Sequence, residues 1–262
     1  KPMFKKTLFL SLFLLYSQPL HAAGIKHDFI VHIGIFDASR TSFEYNLDKK
    51  HYLTKSEVKT NGFFDTVYPF TAEYYTSGDI MPDGSFKTQV YRYKSKTRSN
   101  RRTKEMFYNK EGLPVYRISS KNDKSKKVDI TQDPKNAGTT DLQTVFAEIS
   151  KQYAELRFCD SRMEVFDGKR RFDVIFKDEG DEELIPGKYS PYGGTARKCS
   201  LYIDKLDTNG DGLLWQITSD RPIYFWILEE KRTKLPFIAK AYIEETPLGE
   251  LNVYTSQITV KD

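Results

Sequence analysis

Histidine and cysteine are scarce in this chain, four and two residues out of 262. Three histidines, His27, His32 and His51, lie beyond the first 22 residues. His27 and His32 are an odd number of positions apart, so on a strand they face opposite sides of a sheet and cannot share a metal. No histidine accompanies a Ser or Cys motif, which leaves a Ser-His-Asp mechanism without its base. Ser190 sits in Lys188-Tyr189-Ser190-Pro191, which is not a nucleophile elbow. Gly193-Gly194 lacks the Lys-Ser/Thr of a phosphate loop. The chain is therefore expected to be no enzyme and to carry no metal or cofactor. Long apolar runs are also missing beyond the N-terminal segment, so no membrane-spanning helix is expected.

That N-terminal segment has the layout of a cleavable secretory signal. Lys5 and Lys6 precede an apolar run from Leu8 to Tyr16; Ser17, Gln18 and Pro19 break it, and Leu20-His21-Ala22 offers a small residue for cleavage. Met3 is the expected natural start. The expected division is a signal peptide over 1–22 and one β-rich domain over 23–262. No cysteine lies near the cleavage site, so the exported chain is expected to be soluble, periplasmic or secreted, and not lipid-anchored. Three of the 41 Lys+Arg lie in the first 22 residues and none of the 36 Asp+Glu does, so the remainder carries a net charge of only +2. Overall charge gives no reason to expect nucleic acid as a partner.

What the chain has is aromatic, strand-like sequence: 18 Phe and 17 Tyr against a modest 39% hydrophobic residues. This suits sheets with one wet face. Alternation marks strands from Phe29 to Ile35, Ser42 to Leu47, Tyr52 to Thr60 and Ser85 to Thr97. Hairpins are expected at Asn109-Lys110-Glu111-Gly112, at Asp167-Gly168, across Glu229 to Pro236 and at Thr246-Pro247-Leu248-Gly249, with Leu251 to Val260 as the last strand. Cys199 to Ile203 and Leu213 to Ile217 flank another Gly-rich turn. One helix is predicted, with Thr140 as cap, Gln143 completing a capping box, and Leu142, Val145, Phe146, Ile149, Tyr153 and Leu156 on one apolar stripe. Ser119 to Gly138 reads as a polar, Lys-rich loop that could let the helix move like a lid.

Four constellations stand out. An even cysteine count in an exported chain predicts a Cys159–Cys199 bridge. Asp207-Thr208-Asn209-Gly210-Asp211-Gly212 resembles the first half of a calcium loop, but Thr218 stands where a bidentate Glu is needed, so a plain turn is expected. The acidic run Asp178 to Glu183 reads as a solvated loop. Arg92, Lys94, Lys96 and Arg98 put a basic row on one strand face, read first as an edge strand defended by charge and alternatively as a contact for an acidic or anionic partner.

With these residues in view, the chain resembles the bacterial exported proteins of domain of unknown function 3108. The likeness is carried by Met163-Glu164-Val165-Phe166-Asp167-Gly168-Lys169-Arg170-Arg171-Phe172-Asp173-Val174, by Tyr192-Gly193-Gly194-Thr195-Ala196-Arg197-Lys198-Cys199, by Tyr242 to Val253, and by Thr140-Asp141-Leu142. The resemblance implies a curved β sheet like that of lipoprotein-carrier proteins and supplies no catalytic residue. The expected fold is a curved antiparallel sheet or half-open barrel with one amphipathic helix on its concave face. Leu142, Val145, Phe146, Ile149 and Tyr153 are its candidate pocket residues, and an apolar or amphipathic ligand such as a lipid or acyl chain is the expected guest. The alternative is an envelope scaffold that binds another protein through a sheet edge or the basic row; an enzyme of unknown class is the remote third.

Overall fold

The computed structural model describes residues 23–131, 139–206, 217–246 and 249–261. The expected signal segment 1–22 and the calcium-like loop 207–212 therefore lie outside the described residues. The first half of the chain forms β1 (Ala23–Ile33), β2 (Phe36–Leu47), β3 (His51–Thr60), a short helix α1 (Gly62–Val67), β4 (Phe70–Ile80), β5 (Phe86–Thr97), β6 (Arg101–Tyr108), β7 (Pro114–Lys121) and β8 (Lys124–Asp129). The long helix α2 (Leu142–Leu156) follows. The second half forms β9 (Ser161–Phe166), β10 (Arg171–Leu184), β11 (Gly194–Lys205), β12 (Ile223–Glu229), β13 (Pro236–Thr246) and β14 (Gly249–Lys261).

All fourteen strands belong to one antiparallel sheet, ordered β8-β7-β6-β5-β4-β3-β2-β1-β14-β13-β12-β11-β10-β9. Two meanders are joined where the first strand pairs with the last, and α2 carries the chain from one open edge, β8, to the other, β9. That helix packs against β3, β4 and β5 on one side and against β9 and β13 on the other. Strands so far apart in the sheet can touch one 10–12 Å helix only if the sheet curls around it. The sheet is thus a half-open barrel with α2 on its concave face, as the sequence predicts.

The open ends meet without a strand ladder. Thr140 bridges to Val165, its amide donating to Glu164 O at 2.8 Å and its carbonyl accepting from Phe166 N at 3.0 Å. Lys104 Nζ donates to Asp167 O at 3.0 Å, and Arg117 donates to Gly168 O. Met106, Ile130 and Phe166 pack beneath this seam. The main core lies between α2 and β9–β12, built on Val145, Ile149, Phe172, Val174, Phe176 and Phe225.

Several expectations are corrected. Asp141, not Thr140, caps α2, and Gln143 forms no capping box: its side chain accepts from Ser56 Oγ at 2.8 Å. The stretch 119–138 is not a loop throughout, since β7 runs to Lys121 and Lys124–Asp129 forms β8. Asn122 and Asp123 both take positive φ, 48° and 68°, the backbone of a tight hairpin turn. The acidic run is not a loop but part of β10, with Asp178 and Asp181 paired to Arg197 and Glu182 to Lys198 on β11. The strand β4 and the helix α1, which buries none of its residues, have no counterpart in the sequence reading.

Candidate functional site

The helix α2 is amphipathic in an unusual way, because its polar flank is buried too. The Asp141 carboxylate accepts from the amides of Gln143 and Thr144 at 3.0 and 3.2 Å, and from the hydroxyls of Thr76, Thr88 and Thr144 at 2.9, 2.8 and 2.6 Å. Tyr52 Oη joins the same network at 2.8 Å from Thr144 and 3.0 Å from Thr88. Five donors converge on one buried carboxylate and fasten the helix start to β4 and β5. At the other end, Cys159 just past the helix is bonded to Cys199 on β11, with Cα atoms 6.2 Å apart. This bridge is the one the sequence predicts. Both ends of α2 are thus tied to the sheet, the first by hydrogen bonds to β4 and β5 and the second by the disulfide to β11.

On the apolar flank of α2 the sheet leaves a part-open cavity of about 300 Å³. Of the five candidate pocket residues, Phe146, Ile149 and Tyr153 line it. Val145 is instead fully buried in the main core, and Leu142 lines a smaller, tyrosine-lined cavity at the start of the helix. The sheet contributes Phe29, Phe43, Phe225 and Phe237 among others, and no Lys, Arg, Asp or Glu lines the cavity among the described residues. Its lining includes His27, 2% exposed, its ring surrounded by Phe29, Phe43, Tyr45 and Phe237 at 5.7 to 6.2 Å. Neither ring nitrogen has a hydrogen-bond partner among the described residues. Burial pulls its pKa down to about 3, so the imidazole is neutral. His32 is buried on the other face, under Tyr189 at 4.1 Å, so the two histidines do face opposite ways. His51 is exposed near Asp48 and Asp79. The sequence does not single out His27 as a cavity residue, although Ile25, His27 and Phe29 share the inward parity of β1.

Arg92, Lys94 and Lys96 of the basic row stand on the outer face of β5, Arg98 lies just past its end, and all four are exposed. Yet β5 lies between β4 and β6, so it is no edge. Two of its charges are met across the ladder: Arg92 lies opposite Glu105 and over the Tyr75 ring, and Lys94 is in register with Glu73. The lysine-guarded edge is β8, where Lys124, Lys126 and Lys127 are exposed.

A family model for proteins of unknown function, DUF3108, matches residues 28–254. The chain belongs to the DUF3108 family. Among solved structures it is similar to a β-barrel-like protein of domain of unknown function DUF1849 from Brucella abortus, at 10% identity and a TM-score of 0.50, over 92% of this chain and 98% of that one. At that identity the likeness speaks for the fold alone. No curated protein matches. Two of the stretches that suggest DUF3108 in the sequence hold the architecture of this DUF3108 protein together. Asp167 folds the β9–β10 turn by accepting from the amides of Lys169 and Arg170, and that turn closes the seam. Tyr192 accepts from Ile258 N at 2.8 Å and packs on Phe237, plugging the barrel floor beside Ile25 and Tyr45.

Proposed function

We propose that the protein is a non-enzymatic binding protein of the cell envelope that holds an apolar or amphipathic ligand, a lipid or acyl chain, between α2 and the concave sheet. The observation that carries this reading is the uncharged, aromatic-lined cavity beside a helix that is itself firmly held. Export to the periplasm belongs to the same proposal; the disulfide fits an oxidising compartment. Among the described residues no helix is long and apolar enough to cross a membrane.

The test is Phe146→Ala. Phe146 is half-buried and lines the cavity, with its ring 6.0 Å from Phe43. In a filled core this truncation costs about 3–5 kcal/mol. Here it is expected to cost only about 1–2 kcal/mol, because less of the ring is shielded from water, and to weaken uptake of an apolar fluorescent probe. A wild-type protein that takes up no such probe and carries no lipid from its native envelope refutes the reading.

One observation favours a second reading, docking of another protein. Ile35, Phe36, Phe63, Val67 and Tyr68, on and beside α1 and the β1–β2 turn, are exposed apolar residues, and the Phe36 and Phe63 rings lie 5.9 Å apart. The routes expected from sequence have less behind them: β8 is guarded by lysines, β9 is partly covered by Thr140, and the basic row is met by Glu73 and Glu105.

A further inference from the structure

We propose that the smaller cavity at the start of α2 is a second binding site, and that it takes a small oxyanion such as a phosphate group. Nothing in this depends on an apolar ligand in the larger cavity. The smaller cavity, of about 210 Å³, lies at the seam between the two open ends of the sheet. One wall is the concave face of β4, β5 and β6. There Tyr74 lies opposite Tyr93, and Tyr93 lies opposite Lys104, in one row across three strands. The Tyr74 and Tyr93 rings are 4.9 Å apart, and Tyr91 stands two residues before Tyr93 on the same face. The other wall is the β9–β10 turn, with Asp167 and Arg170, together with Asp141 at the start of α2.

In this cavity the acceptors are satisfied and the donors are not. Both carboxylates are filled from within the protein. Asp141 accepts from five donors, and Asp167 accepts from the amides of Lys169 and Arg170 and from the Arg170 side chain at 2.9 and 2.7 Å. The hydroxyls of Tyr74, Tyr91 and Tyr93 make no hydrogen bond among the described residues. Unlike the Tyr108 hydroxyl, which is sealed off without a partner, theirs stay accessible to a small group. Burial raises the Tyr74 pKa to about 12 and raises that of Tyr91 as well, so both keep the proton they would donate. Lys104 Nζ places one of its three donors on Asp167 O. Burial is the first cause that lowers the Lys104 pKa; Asp167 opposes it, and Arg117, Arg170 and Lys169 act with it. Cations therefore outnumber carboxylates around the cavity. An oxyanion answers both needs, because it brings several acceptor oxygens to the hydroxyls and a negative charge to the ammonium. A neutral hydroxyl compound would leave the positive charge unanswered, and a cation would add to it.

The experiment is calorimetric titration with inorganic phosphate, glycerol 3-phosphate or glycerol at fixed ionic strength, in the wild type, Tyr93→Phe and Lys104→Gln. The expected result is saturable binding of a phosphate compound and none of glycerol. Tyr93→Phe is expected to weaken it about tenfold, the loss of one hydrogen bond to a charged group, and Lys104→Gln at least as much. Inorganic phosphate bound as tightly as the ester, or more tightly, supports a site for a free anion. Tighter binding of the ester supports a site for a phosphoester head group. Binding that Tyr93→Phe leaves unchanged overturns the assignment, since the anion then sits elsewhere. A wild type that binds neither phosphate compound overturns it too, and glycerol bound as well as the phosphates overturns the oxyanion class. Lys104 also holds the seam, so should Lys104→Gln fail to fold, Tyr91→Phe takes its place, with about a tenfold loss expected there as well.

Discussion

Glu148 shows how one residue can oppose the fold it sits in. It lies on the polar flank of α2, where burial first and the Asp141 charge second raise its pKa from 4.5 to about 7, with Lys151 pulling the other way. A carboxyl whose folded pKa is raised binds its proton more tightly when folded. Its contribution to stability is therefore fully present below pH 4.5 and lost as pH rises towards 7. Glu148→Gln removes that loss. The variant is expected to gain about 2 kcal/mol over wild type at pH 8, after discounting for partial exposure, and little at pH 4. Urea titrations at the two pH values check this; an equal gain at both would mean the carboxyl is not the cause. His27 has the opposite sign. Its folded pKa is lowered from 6.5 to about 3, so stability falls as pH drops through that window. Between about pH 4.5 and 6.5 the two slopes offset each other, so wild-type stability should look flat where each group is titrating. Neither residue declares itself in the sequence. Glu148 lies off the apolar stripe of α2, but off that stripe is not in water, because a second face of the helix is buried too.

At the scale of elements the question is how α2 is held. Its stripe was readable from spacing alone, and Val145, Phe146, Ile149 and Tyr153 are in contact with core or cavity as that spacing implies. Its cap was misplaced by one residue because Thr140 and Asp141 are both good caps. What decides between them is the pair of hydroxyls on Thr76 and Thr88, which come from β4 and β5 and converge on Asp141. No local pattern contains that information. Asp141→Ala is expected to cost about 3–5 kcal/mol, more than an ordinary cap, since it also strips three buried hydroxyls of a charged acceptor. Chemical denaturation measures it; a loss near 1 kcal/mol would mean that only the cap matters. The Cys159–Cys199 bridge at the far end closes 40 residues of sequence and contributes about 4 kcal/mol on the chain-entropy account. The edge strand was assigned wrongly for a related reason. Both β5 and β8 carry lysines on exposed positions, and which of them ends the sheet depends on strand order, which charge cannot report.

For the whole molecule, the meander pattern made an antiparallel, curling sheet legible, because successive hairpins leave little choice of topology. What could not be read was how a sheet with two free edges avoids splaying open. The answer lies in the β9–β10 turn. Gly168 takes φ of +87°, and a Cβ there would sit 2.8 Å from Met106 Sδ and 3.1 Å from Arg117 Cδ, on strands from the opposite end of the sheet. Gly180 supplies an internal reference: its φ is +89°, and a Cβ there would meet nothing within 4 Å. Alanine at either position carries the conformational cost of a left-handed backbone, about 1–2 kcal/mol. Only at position 168 does it also push the two ends of the sheet apart. Gly168→Ala is therefore expected to exceed Gly180→Ala by about 1–3 kcal/mol, the usual scale of overpacking. The loss should have a location as well as a size. Amide hydrogens of β6, β7 and β9 should exchange faster in Gly168→Ala, while those where β1 pairs with β14, the mid-point of the sheet, keep their protection. Equal costs for the two substitutions, or faster exchange spread evenly over the sheet, would show that the seam does not hold the barrel shut. The curl would then have to come from the twist of the strands and from the packing of α2.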